Sequence, residues 1–126
     1  MAAQELLDIN KLETLELSME AAQFSKFIFN IALEMESNIK EIERSLNVSD
    51  FDNVMKRAGF LNTETSKIGA TLLDHEITGL QNACLKKQKA EILKSVKKIK
   101  KISEKTINVI QDISLLTTYL YLCRQV

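Results

Sequence analysis

Apolar residues recur every three or four positions along most of the chain, which is the spacing of one face of an α-helix. The clearest stripe lies within Glu20–Leu46 and consists of Phe24, Phe27, Ile28, Ile31, Met35, Ile39, Ile42 and Leu46. Before it, Leu12, Leu15 and Met19 predict a shorter helix that begins after Asp8–Asn10, where an Asp or Asn side chain can cap the first turn.

Three further helices follow from the same pattern. The connection Asn47–Asp50 ends in a residue suited to an N-cap, and a third helix is predicted from Phe51 to Ser66. Gly69 is expected to end this helix, because glycine readily takes the left-handed conformation at a helix C-terminus. The fourth helix carries Leu73, Ile77, Leu80 and Cys84. The fifth and longest is predicted from Lys89 to Tyr121.

The number and length of these helices predict the fold class. No stretch of useful length alternates apolar and polar residues as a strand would, and the 126 residues include no proline and three glycines. Four long amphipathic helices with short links favour an antiparallel up-down bundle. The sequence therefore predicts an all-α protein, a four-helix bundle with an additional short N-terminal helix, in which residues 1–126 form a single domain.

The stretch Val54–Ala70 resembles the signature of the histidine-phosphotransfer (HPt) domain family. In that family, Ala-His-x-Leu-Lys-Gly on one central helix is followed by small residues and then by Ile-Gly-Ala. Without a gap, the chain matches this pattern at Ala58, Leu61, Ile68, Gly69 and Ala70. Downstream, the family has apolar positions and a Leu-Glu pair. The chain has Leu73, Ile77, Leu80 and Gln81 at these places. The resemblance covers nearly the whole chain and implies the HPt fold.

The residues that carry phosphotransfer chemistry in the family are replaced. Gly59 stands in place of the phosphoacceptor histidine, Asn62 in place of the lysine, and Thr63 in place of the glycine. The histidine supplies a nucleophilic imidazole and the lysine places positive charge beside the phosphate. Neither glycine nor asparagine can accept a phosphoryl group by this route. The resemblance therefore implies a pseudo-HPt protein.

Such a protein is expected to bind the receiver domain of a response regulator, or a histidine kinase, without relaying phosphate. It would act as an inhibitor, a sequestering agent or an adaptor in a two-component phosphorelay. The expected contact residues are Lys56, Gly59, Phe60, Asn62, Thr63, Ser66 and Lys67. An alternative from another class is a bundle that keeps only the architecture, as a scaffold or a homodimer.

His75, the single histidine of the chain, is an alternative phosphoacceptor. The segment His75–Gly79 reads His-x-apolar-x-Gly, but in this frame Ile-Gly-Ala falls on Cys84-Leu85-Lys86 and the upstream alanine becomes Asp74. The frame on Gly59 keeps more of the pattern. An ordinary surface or boundary position at the start of the fourth helix is the simpler interpretation of His75.

Two aromatic features have open interpretations. Phe60 either offers an exposed ring to a partner or packs against a neighbouring helix. Near the C-terminus, Tyr119, Tyr121 and Leu122 place apolar bulk on more than one side of the last helix. They either pack against the short first helix or form a homodimer contact.

The distribution of charge is uneven although the net charge is zero. Residues 1–52 carry eleven acidic and four basic side chains, a net charge of −7, whereas residues 86–105 carry nine lysines and two glutamates, a net charge of +7. Opposite charges favour packing of these segments side by side. The run Lys86–Lys101 is either a solvated face or a docking surface for an acidic partner. Nucleic-acid binding is not expected, because no aromatics interleave with the lysines.

Other function classes find no support in the sequence. It contains no phosphate-cradling glycine loop, no Ser-His-Asp set and no clustered metal ligands, so we expect neither an enzyme nor a metal or cofactor. Cys84 and Cys123 are expected to be small buried or half-buried residues in a reducing compartment. No apolar run approaches the ~20 residues of a membrane span, and the acidic N-terminus is unlike a signal peptide. We therefore expect a cytoplasmic protein without a membrane partner.

Overall fold

A computed structural model of the chain describes residues 6–124, except for the side chains at 118–122 and 124. The alternatives for Tyr119, Tyr121 and Leu122 lie outside the described side chains. The described residues form five helices and no strand: α1 is Ile9–Leu17, α2 is Ala21–Asn47, α3 is Phe51–Lys67, α4 is Thr71–Leu85 and α5 is Lys89–Arg124.

The four long helices form a closed bundle. Helix α2 packs against α3 and α5, and α4 packs against the same two helices from the opposite side. Because turns of only a few residues join successive helices, neighbours run antiparallel. The predicted all-α bundle with a short extra helix is therefore confirmed. Helix α3 ends one residue later than predicted and α5 continues to Arg124, which are ordinary differences at helix ends.

The capping residues indicated by the sequence do lie at the helix ends. The carboxylate of Asp8 accepts a hydrogen bond from the backbone N–H of Lys11 at 3.3 Å, and the carboxylate of Asp50 accepts one from that of Asn53 at 3.1 Å. Both residues satisfy N–H groups that the first turn of a helix leaves free. After α3, Gly69 takes a left-handed conformation with φ of 67°, as predicted.

The apolar stripes meet in one core. Its largest fully buried side chains are Leu7, Phe24, Ile28, Met35, Ile42, Leu61, Ile68, Leu73, Ile77, Leu80, Ile92 and Ile99. The four long helices, the turn after α3 and the residues just before α1 all contribute to it. Burial of this apolar surface is the main force that holds the helices together.

The N-terminal segment is tied to the turn between α3 and α4. The backbone N–H of Asp8 donates to the carbonyl of Gly69 at 2.9 Å, and Nζ of Lys11 donates to the carbonyl of Ser66 at 2.5 Å. A lysine near the free carbonyls at the end of a helix also complements the helix dipole. Helix α1 therefore closes one end of the bundle and fixes the C-terminal turn of α3.

The acidic and basic segments do pack side by side, as α2 and α5. A buried reciprocal pair joins these helices: the hydroxyl of Ser25 donates to the carbonyl of Ser114 at 2.9 Å, and that of Ser114 donates to the carbonyl of Ser25 at 3.0 Å. Among the described residues, one ion pair links the two helices, Lys100 to Glu43 at 3.2 Å. An exposed pair of this kind contributes at most about 1 kcal/mol.

The two cysteines have different environments. Cys84 is 7% exposed and belongs to the core, as predicted. The prediction is wrong for Cys123, whose side chain is exposed. It lies in the last turn of α5, where a helix has few neighbours to cover a side chain.

Candidate functional site

The predicted contact residues lie together along the surface of α3. Their spacing of three and four residues places them away from the buried stripe of Val54, Ala58, Leu61 and Thr65. Lys56, Phe60, Thr63 and Lys67 are exposed, whereas Gly59, Asn62 and Ser66 are partly buried. We call these seven residues the Gly59 face.

Gly59 lies beside Gln81 of α4. A Cβ atom built on Gly59 would lie 3.8 Å from the side-chain nitrogen of Gln81, an ordinary contact distance. The glycine therefore leaves a shallow gap on α3 next to an amide that can donate and accept hydrogen bonds. An alanine at this position would therefore fit without a clash, so the packing of α4 against α3 does not require a glycine here.

Phe60 provides the apolar part of the Gly59 face and is 46% exposed. Of the two interpretations of its ring, the structure supports exposure. Nζ of Lys56 lies 5.9 Å and Cζ of Arg57 lies 5.6 Å from the centre of the ring. Both distances suit a cation–π interaction. The two cations hold the ring in place beside Gly59 and make this part of the face positive.

Arg57 is a component of the site that was not predicted. Its Nε atom is buried and finds no hydrogen-bond acceptor among the described residues. The signal in the sequence is its position three residues before Phe60, since side chains at i and i+3 are neighbours on a helix.

Hydrogen bonds fix the hydroxyl groups of Thr63 and Ser66 on the face. The hydroxyl of Thr63 donates to the carbonyl of Gly59 at 3.1 Å. At the end of α3, the hydroxyl of Ser66 donates to the carboxylate of Asp74 at 3.4 Å, and that of Thr65 also donates to Asp74. Asp74 was not predicted as part of this arrangement. These bonds order the hydroxyl groups of Thr63 and Ser66.

The charge at the C-terminal end of the Gly59 face is partly neutralised. Nζ of Lys67 lies 3.2 Å from a carboxylate oxygen of Glu64, one turn earlier on α3. Lys56 has no carboxylate partner within 4 Å in the described part of the chain, and its ammonium group lies only near the ring of Phe60. Lys67 is therefore paired and Lys56 is unpaired in the described part of the chain.

His75 lies outside this face. It is exposed in the first half of α4, as expected for a surface histidine. Its side chain lines a groove between α4 and α5 together with Lys94 and Lys98, whereas Gln81 of the same helix meets α3. The structure therefore does not bring the imidazole to Gly59.

The matches and mismatches with the HPt signature separate by burial. Ala58, Leu61, Ile68 and Ala70, which match, have no exposed surface. Asn62 and Thr63, which differ, are partly or fully exposed. The positions that match the pattern are therefore core positions, and the positions that differ from it lie at the surface.

The described residues contain no group of three or more His, Cys, Asp or Glu side chains arranged to hold a metal ion. Over residues 6–124, no helix is both long enough and apolar enough to cross a lipid bilayer.

Comparison with known proteins finds similarity of structure and not of sequence. Neither a protein-family model nor a curated protein matches the sequence. The structure is similar to histidine-containing phosphotransfer protein B from Pseudomonas aeruginosa PAO1, with a TM-score of 0.82 and 15% identity over 87% of this chain and 95% of that one. It is also similar to a rice protein assigned as a histidine-containing phosphotransfer protein, with a TM-score of 0.76 and 16% identity over 92% of this chain and 86% of that one. The chain therefore has the fold of the histidine-containing phosphotransfer proteins.

Proposed function

We propose that the protein is a pseudo-HPt protein that binds a receiver domain or a histidine kinase and does not relay phosphate. The observation that carries the proposal is the position of Gly59 on the outward surface of α3, beside Gln81, in a bundle with the fold of phosphotransfer proteins. At that position the family carries its phosphoacceptor histidine, and a glycine has no nucleophile to offer.

The Gly59 face has the composition of a protein-binding surface. An exposed aromatic ring lies at its centre, flanked by the cations of Lys56 and Arg57. Aromatic and arginine side chains dominate the binding energy of many interfaces, and positive charge suits the acidic phosphorylation pocket of a receiver domain. By covering that pocket, the protein would act as an inhibitor, a sequestering agent or an adaptor.

The first experiment measures phosphorylation. The purified protein is incubated with phosphoramidate, and its intact mass is compared with that of an HPt protein labelled in parallel. We expect no added phosphoryl group. One added group that disappears in the His75→Gln variant would contradict the proposal and make the protein a phosphotransfer protein that uses His75.

The second experiment measures binding to a panel of purified receiver domains and histidine kinases. The Phe60→Ala variant should lose binding, because it removes the exposed ring of the Gly59 face. Leu115, 70% exposed on α5, provides a control with a similar loss of exposed apolar surface. If no member of the panel binds, or if Leu115→Ala weakens binding as much as Phe60→Ala, the proposed contact face is wrong.

A further inference from the structure

The lysines at the start of α5 and in the turn before it are mostly without partners. Of the nine lysines between residues 86 and 105, Lys100 has a carboxylate within 4 Å in the described part of the chain, and the other eight have none. All nine are exposed. The bundle therefore does not use most of this charge for its own assembly.

This charge carries a cost in the isolated protein. Lys94 and Lys98, Lys97 and Lys101, and Lys101 and Lys105 are i,i+4 pairs on one helix. Like charges at this spacing repel each other and destabilise a helix. A negatively charged partner would remove this repulsion.

A groove between α4 and α5 collects part of this charge. Its volume is about 360 Å³, and His75, Lys86, Lys94 and Lys98 line it. Gly79 keeps it open, since nothing lies within 4 Å of the position of a Cβ atom there. This site, which we call the α4–α5 groove, lies on the side of α4 away from Gln81 and is separate from the Gly59 face.

The lining favours a peptide over a nucleic acid. Asn82 and Gln88 offer amide groups that can pair with a peptide backbone. Glu76 and Glu91 also line the groove, so the evenly spaced phosphates of a nucleic acid would meet both signs of charge, whereas a peptide can place its carboxylates opposite the lysines alone. The lining contains no Phe, Tyr or Trp side chain, so His75 offers the one ring on which a base could stack.

We propose that the α4–α5 groove is a docking surface for an acidic peptide segment of a partner protein. The carboxylates of the segment would pair with Lys86, Lys94 and Lys98 while its backbone meets Asn82. Single exposed ion pairs are weak, but several that form together raise both the association rate and the specificity. This proposal is independent of the proposed function of the Gly59 face.

The test uses the full chain and a fluorescein-labelled peptide rich in Asp and Glu, with affinity measured by fluorescence anisotropy. The Lys94→Glu/Lys98→Glu variant should weaken binding by about tenfold or more, equivalent to about 1.4 kcal/mol. The control is Lys97→Glu/Lys101→Glu, which has the same charge change and spacing on the same helix but lies outside the groove lining. It should weaken binding by less than about threefold, through long-range electrostatics alone.

A variant that leaves the charge unchanged tests whether peptide binding needs the open shape of the groove. Gly79→Leu places a side chain in the open groove and should abolish peptide binding while circular dichroism and thermal unfolding show a folded bundle. Binding that survives Gly79→Leu, or that falls equally in the two lysine variants, would overturn the proposal. So would the absence of peptide binding at low ionic strength, or tighter binding of duplex DNA than of the peptide to the same lysines.

Discussion

The side-chain nitrogen of Gln81 lies 3.8 Å from the point that a Cβ atom on Gly59 would occupy, so the space beside the glycine is open to a small side chain. Two consequences follow from this relationship. The glycine weakens α3 although a Cβ atom would fit there, and the position can be tested as a site for an imidazole.

The first consequence concerns stability. Gly59→Ala should raise the free energy of unfolding by about 0.5–1 kcal/mol, because glycine in the interior of a helix loses more backbone entropy on folding than alanine. Urea denaturation would show a higher midpoint with an unchanged slope. A lower midpoint would mean that packing near Gln81 requires a glycine at this position.

The other two glycines should respond in opposite directions. Gly69 has φ of 67°, and a Cβ atom there would lie 2.6 Å from that of Asp8. Gly69→Ala should therefore lower the free energy of unfolding by at least about 1–2 kcal/mol from the left-handed backbone alone, and the contact with Asp8 adds to the loss. Gly79→Ala is the matched control, since nothing lies within 4 Å of its Cβ position, and should stabilise α4 by about 0.5–1 kcal/mol. Equal shifts in both variants, measured by urea denaturation, would contradict this account.

Two buried serines give another contrast. Ser103 has no exposed surface, and its hydroxyl finds no hydrogen-bond partner among the described residues. Ser103→Ala should raise the free energy of unfolding by about 1 kcal/mol, because a buried unsatisfied hydroxyl carries a desolvation cost. Ser45 is the control, since its hydroxyl accepts a bond of 2.6 Å from Asn53. Ser45→Ala should instead destabilise the protein by about 1 kcal/mol. Destabilisation by both changes would show that Ser103 has a partner.

The helices could be predicted from the sequence because each depends on local signals. The stripe in Glu20–Leu46 sets the buried face of α2, and Asp50 and Gly69 mark the two ends of the segment that holds α3. The contact of Asp8 with Gly69 could not be predicted, since it joins distant residues through backbone groups that every residue carries.

The candidate site was predictable only in part. The residues of the Gly59 face share one helix, so their common surface follows from spacing alone. The position of His75 on the α5 side of α4 depends on how the helices pack, as does the exposure of Cys123. Neither can be read from a stripe of apolar residues.

Burial raises the pKa of the Cys84 thiol. The native thiol therefore keeps its proton at a pH where the thiol of the unfolded chain has lost it, and the unfolded state gains stability as pH rises through the ordinary thiol pKa. The free energy of unfolding should fall there more steeply in the protein than in Cys84→Ala. Urea denaturation at neutral and alkaline pH checks this, and parallel pH profiles would contradict it. In the native protein, a thiol reagent should modify exposed Cys123 quickly and Cys84 only after unfolding.

The second consequence of the Gly59–Gln81 relationship concerns chemistry. Gly59→His, made together with Asn62→Lys in a His75→Gln background, would restore an imidazole and a cation on the outward surface of α3. We expect phosphoramidate to add one phosphoryl group to this variant, detected by intact mass. A receiver domain that binds the unmodified protein should then remove that group, because the new histidine would lie on the face that we propose as the receiver contact.

The control for this experiment is Gly79→His in the same His75→Gln background, which places an imidazole on exposed α4 outside the Gly59 face. A small donor reaches any exposed histidine, so labelling alone does not distinguish the two variants. Discharge to the receiver does, since transfer needs the imidazole in line with the acceptor aspartate. Discharge from Gly79→His and not from Gly59→His would place receiver docking on the other side of α4. Discharge from Gly59→His alone would support the proposed function. It would mean that the docking face still binds a receiver domain and that the missing phosphoacceptor histidine is why the protein does not relay phosphate.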